Sequence, residues 1–309
     1  PYAYPAAIKL LKEAIARKGY LGEITMLTHS LYRLRYDVMG NPLVSIVIPT
    51  KDKVDFLRRC VDSILQKSTY SNYEIIIVDN ESAETETKDY FKEITENPKC
   101  KVIYFNRPFN YSSLNNFAVL RASGDFLLFL NNDTEIITPG WLEEMLGHAQ
   151  RSEVGVVGAK LLYFDNKIQH AGIIVGLHGL VGHAFCGLPA SEPGYKGLTT
   201  VARNYSAVTG ACMMMRRSVF EEIGGFDEKL DIAFNDVDLC LRTFQSGYYN
   251  VWTPHAVLYH YESATRGSYQ PARNVSYFQK KWRNFLEQGD PFYNQNLALD
   301  RDDFMIKIN

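Results

Sequence analysis

A chain of 309 residues, 46% hydrophobic and 22% charged, carries enough apolar side chain for one large core and too much for a disordered or fibrous protein. Its formal net charge of −2 supplies no global basic field, so no nucleic-acid partner is expected. Five cysteines without a CxxC pair argue against a disulfide framework and for the reducing cytoplasm, and with no run of about 18 apolar residues in view any membrane association is expected to be peripheral, at the inner face of the cell membrane.

The chain opens Pro1-Tyr2 and reaches its first strand only near Val44, so a piece of a larger multidomain polypeptide is expected. Residues 6–18 place Ile8, Leu11 and Ile15 on one helical face, and residues 1–42 read as an N-terminal helical appendage. The run LVSIVIP from Leu43 predicts a buried strand. Asp52 is positioned to cap the helix behind it, which Val54, Leu57, Val61, Ile64 and Leu65 stripe. YEIIIVDN from Tyr73 and KVIYFN from Lys101 predict two more strands. A helix capped at NYSS then leads through Gly124 into FLLFL from Phe126. Strands alternating with helices make an α/β fold with a mostly parallel central sheet. From Gly155 to Gly210 the chain turns rich in Gly and His. ACMMM, a tight IGGFDEKL loop, a helix over NDVDLCLRTFQ stopped by Gly247, a strand AVLYH and one last helix at 271–288 then follow.

Three predicted strands end in polar residues: Asp79-Asn80, Asn131-Asn132-Asp133 and His260. Ligands of open α/β sheets bind outside the carboxyl ends of strands, so these ends should share one site. No GxGxxG or GxxxxGK[ST] is present to cradle phosphate, and a divalent cation, Mn2+ or Mg2+, is the natural substitute. Asp133 and His260 supply the carboxylate and imidazole for it. Each alone has an ordinary explanation: Asp133 or Thr138 as cap of the next helix, Asp79 as a turn residue, Asp236 and Asp238 as first-turn carboxylates facing the helix dipole. His170, His178, His183 and Cys186 lie close together in sequence, but their spacing matches no common zinc pattern, and histidines of a folded loop with His183 toward an acceptor fit better.

The ordered series VSIVIPTKDK, YEIIIVDNES, GDFLLFLNNDTEI, GGFDEKLDIAFNDVDLCLR and LYHYESATRG resembles the inverting family 2 glycosyltransferases of GT-A fold, in a bacterial branch acting on surface polysaccharides such as O-antigen. The resemblance implies a Rossmann-like nucleotide-sugar-binding half at 43–135, an acceptor and catalytic half at 136–267, and a C-terminal helix and tail at 268–309. It implies Asp236 as general base, with Asn235 where many members have Glu. Thr50, Asp79, Asn116, Asn132 and Arg266 fall on the nucleotide-sugar side, Arg266 with Ser263 and Thr265 in a loop over the diphosphate. Asp133 and His260 match the metal ligands, the DxD motif here reading Asn131-Asn132-Asp133. Gly224 and Gly225 fall on the acceptor side. The implied reaction moves a sugar from a UDP- or dTDP-linked donor to a glycan or lipid-linked glycan. The rivals are a degenerate, non-catalytic carbohydrate-binding module of a larger synthase and a nucleotidyltransferase, which the late acid and HYESATRG do not suit.

Overall fold

The computed structural model describes residues 3–28, 30–261 and 271–307. Helix α1 (Ala3–Arg17) forms where its spacing predicts, but the segment before the first core strand is not helical throughout. Strands β1 (Gly22–Thr28) and β2 (Leu31–Tyr36) form an antiparallel hairpin behind it. The hairpin escapes the sequence pattern because no residue of either strand is fully buried, so apolar and polar positions do not alternate.

The parallel half follows in the expected order: β3 (Val44–Thr50), α2 (Val54–Lys67), β4 (Tyr73–Asp79), α3 (Thr85–Ile94), β5 (Cys100–Tyr104), α4 (Tyr111–Val119) and β6 (Phe126–Leu130). Their spatial order is β6-β3-β4-β5, all parallel, with Val47 opposite Phe129 and Thr50 opposite Asp79. The strands are apolar at nearly every position because both faces are covered. Val47, Ile76, Val78 and Phe129 pack with Leu114 and Ala118 of α4, whereas Ile46, Ile48, Ile75 and Ile77 pack with Leu57, Val61 and Ile64 of α2 and Phe91 of α3. Full burial of each such side chain is worth about 1.5–3 kcal/mol. Gly124 is required where β6 begins: a Cβ there would lie 2.6 Å from the Leu43 carbonyl oxygen.

Beyond β6 the sheet becomes mixed. β7 (Thr134–Ile136) and α5 (Trp141–Ala149) come first, then β8 (Val154–Leu162), β9 (Ile168–His170), β10 (Ile173–Val175), β11 (Val181–His183), β12 (Arg203–Tyr205), β13 (Cys212–Arg216), α6 (Arg217–Glu222), α7 (Asn235–Gln245) and β14 (Tyr249–His260). β13 lies antiparallel between β6 and β8, and β14 runs parallel to β8. Along the path β12-β14-β8-β13-β6-β3-β4-β5, four of the seven neighbouring pairs are parallel. β8 is nine residues long and buried throughout, yet Gly155, Gly158 and Lys160 interrupt its apolar run. Both glycines are packing requirements, since a Cβ would fall 2.0 Å from Thr243 and 2.5 Å from Val208 respectively. β14 extends over twelve residues rather than the five expected.

The single helix expected over 271–288 is two, α8 (Ala272–Lys281) and α9 (Arg283–Gln288), broken at Trp282. The Trp282 indole N–H turns inward to donate to Asp238 of α7 at 2.9 Å, and the break places it there. The tail folds back over β10 and β11: Val175 N–H donates to Asp290, and Phe304 stacks on Phe185 with ring centroids 4.4 Å apart. At the other end, Arg33 of the hairpin reaches the buried Glu144 of α5 at 2.8 Å. Among the described residues no helix is long and apolar enough to cross a membrane.

Candidate active site

The polar strand ends meet at the carboxyl rim of the sheet. Thr50 and Asp79 are direct neighbours across β3 and β4. Asn80 N–H donates to the Thr50 carbonyl, and the Asn132 amide donates to Thr50 Oγ1, both at 2.9 Å. Asp79 Oδ1 accepts from Ser82 N–H at 3.1 Å, so the acid does hold its own turn while standing at the rim. In front of these ends lies a cleft of about 670 Å3 lined by Thr50, Lys51, Lys53, Asn80, Leu114 and Asn132, among others, a size suited to a small molecule. The two lysines give it cationic groups for an anionic ligand.

Asp52 does not cap α2. The residue before that helix is Lys53, with φ of +55° and no side-chain cap, and Asp52 itself has φ of +52°. That backbone turn swings its carboxylate across to the next loop, where it accepts from Ala83 and Glu84 N–H at 2.7 and 2.9 Å just ahead of α3.

Asp133 and His260 come together because β7 pairs with the end of β14, setting His260 opposite Thr134. The imidazole Nε2 lies 3.2 Å from Asp133 Oδ1, and both residues are buried. Helix α5 starts at Trp141 behind Gly140, so Asp133 does not serve as its cap. Two adjacent ligands of an octahedral Mg2+ or Mn2+ stand about 3 Å apart, so the pair fits such an ion, with remaining positions for phosphate oxygens and water. Among the described residues, no group of three or more His, Cys, Asp or Glu is placed to hold a metal. Asn131, which stands where the motif's first acid would, turns its amide nitrogen to His260 Nε2 at 3.1 Å.

Asp236 stands in the first turn of α7, half-buried. Its Oδ2 accepts from Gly210 N–H and its Oδ1 from Val237 N–H, both at 2.8 Å, which fixes the carboxylate and leaves each oxygen a free lone pair. Gly210 precedes Ala211, whose carbonyl accepts from Asn131 N–H. The acid is thereby tied, across one residue of backbone, to the strand end bearing Asn131. Tyr111 of α4 closes the same junction, its hydroxyl donating to the Gly210 carbonyl at 3.1 Å. Asp238, by contrast, is fully buried and held by Arg242 at 2.8 Å and Trp282 at 2.9 Å; it is structural.

Gly224 and Gly225 both adopt positive φ, +77° and +70°, in the loop ahead of α7. Asn116 was expected on the nucleotide-sugar side, yet its amide clamps this loop. It donates to the Phe226 carbonyl and to Glu228, and accepts from Phe226 N–H at 2.9 Å. Leu114, in the N-terminal half of the same helix, lines the cleft. His183 of β11 faces His170, with Nδ1 atoms 3.1 Å apart. His170 is fully buried and accepts from Thr209 N–H, next to Gly210. Burial above all, with His183 and His260 nearby, pushes its pKa well below the usual histidine range and keeps it neutral. His178 belongs elsewhere, paired with Asp302. Arg266, Ser263 and Thr265 lie outside the described residues. Sequence reasoning missed Gln169, Tyr111 and Gly210; only IQH, beside a histidine already noted, offered any signal.

Known proteins place this site in context. The chain is 44% identical, over 99% of its length, to an uncharacterized protein of Sinorhizobium fredii, and 41% identical over 97% to the O-antigen biosynthesis protein RfbC of Myxococcus xanthus. It spans 35% and 24% of those two proteins. Among solved structures, GalNAc-T7 in complex with UDP, GalNAc and Mn2+ is similar over 80% of this chain and 50% of its own, with a TM-score of 0.66 and 16% identity, a likeness of fold. The architecture is therefore GT-A, and with the description Glycosyl transferase family 2 matching residues 45–224, the chain belongs to that family.

Proposed function

We propose that the chain transfers a sugar, with inversion, from a UDP- or dTDP-linked donor to a hydroxyl of a polysaccharide or lipid-linked glycan, working at the cytoplasmic face of a membrane as part of a longer protein. The observation that carries this reading is the junction of three features: the Asp133–His260 pair, the lysine-bearing cleft beside it, and Asp236 held next to the same strand end. The RfbC relative's name supports a polysaccharide acceptor, and the UDP and Mn2+ of GalNAc-T7 support the donor class.

Asp236 takes the proton of the attacking hydroxyl on the face of the sugar opposite the departing diphosphate. Lys51 and Lys53 meet the donor's phosphates. Thr50 and Asp79 hold the nucleotide at the strand ends. Asp133 and His260 would hold Mn2+ or Mg2+, which supplies positive charge against that developing on the leaving group. Gly224 and Gly225, with His183 behind the Thr209-Gly210 turn, belong to the acceptor side.

Calorimetric titration of UDP and of dTDP, each with Mn2+ and with chelator, tests the reading. Metal-dependent binding of one nucleotide is expected. Binding of neither would sink it and leave the non-catalytic module.

A further inference from the structure

We infer that Gln169 is a positioning residue that sets which imidazole nitrogen of His260 faces Asp133; the consequence for metal rests on the function proposed above. Gln169 is buried on β9, a strand that enters the site only through its pairing with β8. It grips His260 at two points. The amide nitrogen donates to the His260 carbonyl at 3.3 Å, and Oε1 lies 2.5 Å from the imidazole Nδ1.

The first contact decides the second. A backbone carbonyl only accepts, so the NH2 of Gln169 must face it, and the oxygen must then face Nδ1. An amide oxygen also only accepts, so Nδ1 carries a proton. In the neutral ring that leaves Nε2 as a lone pair, directed at Asn131 Nδ2, a donor at 3.1 Å, and at Asp133 Oδ1, an acceptor at 3.2 Å. With the ring neutral, two acceptors face each other across 3.2 Å, an arrangement that a cation relieves. A ring nitrogen that must bind metal needs its other nitrogen held by an acceptor, and Gln169 is that acceptor for His260.

The test is 15N NMR of histidine-labelled protein at about pH 8, above the range in which an ordinary imidazole takes up its second proton, the His260 signals being those missing from His260→Gln. The wild type should show one His260 tautomer, Nδ1 protonated and Nε2 bare. Gln169→Leu should release the ring to a mixture of tautomers, while Gln169→Glu, which still accepts from Nδ1, should keep the wild-type pattern. In parallel, Mn2+ titrated calorimetrically should bind about 10- to 100-fold more weakly to Gln169→Leu than to wild type, with affinity restored in Gln169→Glu. A wild-type His260 protonated at Nε2 overturns the inference before any variant is made. So does a Gln169→Leu protein whose tautomer is unchanged. A wild type that ignores Mn2+ while the tautomer responds to Gln169 leaves the positioning role standing and removes the metal from the proposed function.

Discussion

At the scale of single residues, geometry separates the two acids that share the first turn of α7. Asp238 is enclosed and paired, whereas Asp236 holds free lone pairs at the edge of the site. Asp236→Asn keeps the shape and loses the basicity, so turnover should fall at least about a hundredfold while nucleotide affinity stays unchanged. Steady-state kinetics beside calorimetry reads both, and near wild-type turnover would take Asp236 out of the role. Asp133→Ala should weaken nucleotide binding in Mn2+ and leave it unchanged in chelator. Gly225→Ala tests the loop ahead of α7: its φ of +70° disfavours a side chain, and the new Cβ would lie 2.8 Å from Asn116 Oδ1. A loss of about 1–3 kcal/mol in urea unfolding is expected. The candidates Asp79, Asp133 and His260 were legible as strand-end polar residues because acids and imidazoles at the ends of apolar runs stand out in a sequence. Gly210 N–H and Gln169 were not, because a backbone donor leaves no mark and β9 is a three-residue strand that its pairing with β8 brings to the site.

Between elements, an ion pair from Arg33 to the buried Glu144 ties the hairpin to α5, and here the sequence was least readable. Strands with no fully buried residue and a core strand interrupted by two glycines both lack the unbroken apolar run that marks β3, β4 and β6. Glu144 of α5 is the anchor. Burial opposes its charge, but the nearby His148 together with hydrogen bonds from Arg33 and Thr253 outweighs burial and brings its pKa down to about 2. A carboxyl lowered in the folded state adds stability above its unfolded pKa and loses it as pH falls through the folded one. The contribution, on the order of 3 kcal/mol, should therefore be intact at neutral pH and fade between about pH 4.5 and 2. Urea midpoints of the wild type should drop through that window. Glu144→Gln should be less stable at neutral pH, with Arg33 left without its anion, and should lose less on acidification. Parallel pH profiles for the two proteins would show that Glu144 does not hold the hairpin.

Across the whole molecule, the resemblance that divides the chain into an appendage, a catalytic domain and a tail understates how far the last part is built into the core. Trp282 reaches Asp238 two residues from the proposed base, Asp290 receives the Val175 N–H, and Phe304 lies fully enclosed between Phe185 and Tyr293. No local pattern announces this, since Trp282–Asp238, Asp290–Val175 and Phe304–Phe185 all join residues far apart in sequence. A tail integrated in this way should melt with the catalytic core. Phe304→Ala deletes a buried aromatic, which costs about 3–5 kcal/mol in a packed core. It should lower the midpoint of the main thermal transition, followed together by tryptophan fluorescence and circular dichroism. If the main transition stays where it was and a small separate one appears at lower temperature, the tail is an independent unit and the α7 region does not depend on it. A single displaced transition means that the segment after residue 271 supports the helix on which Asp236 is presented.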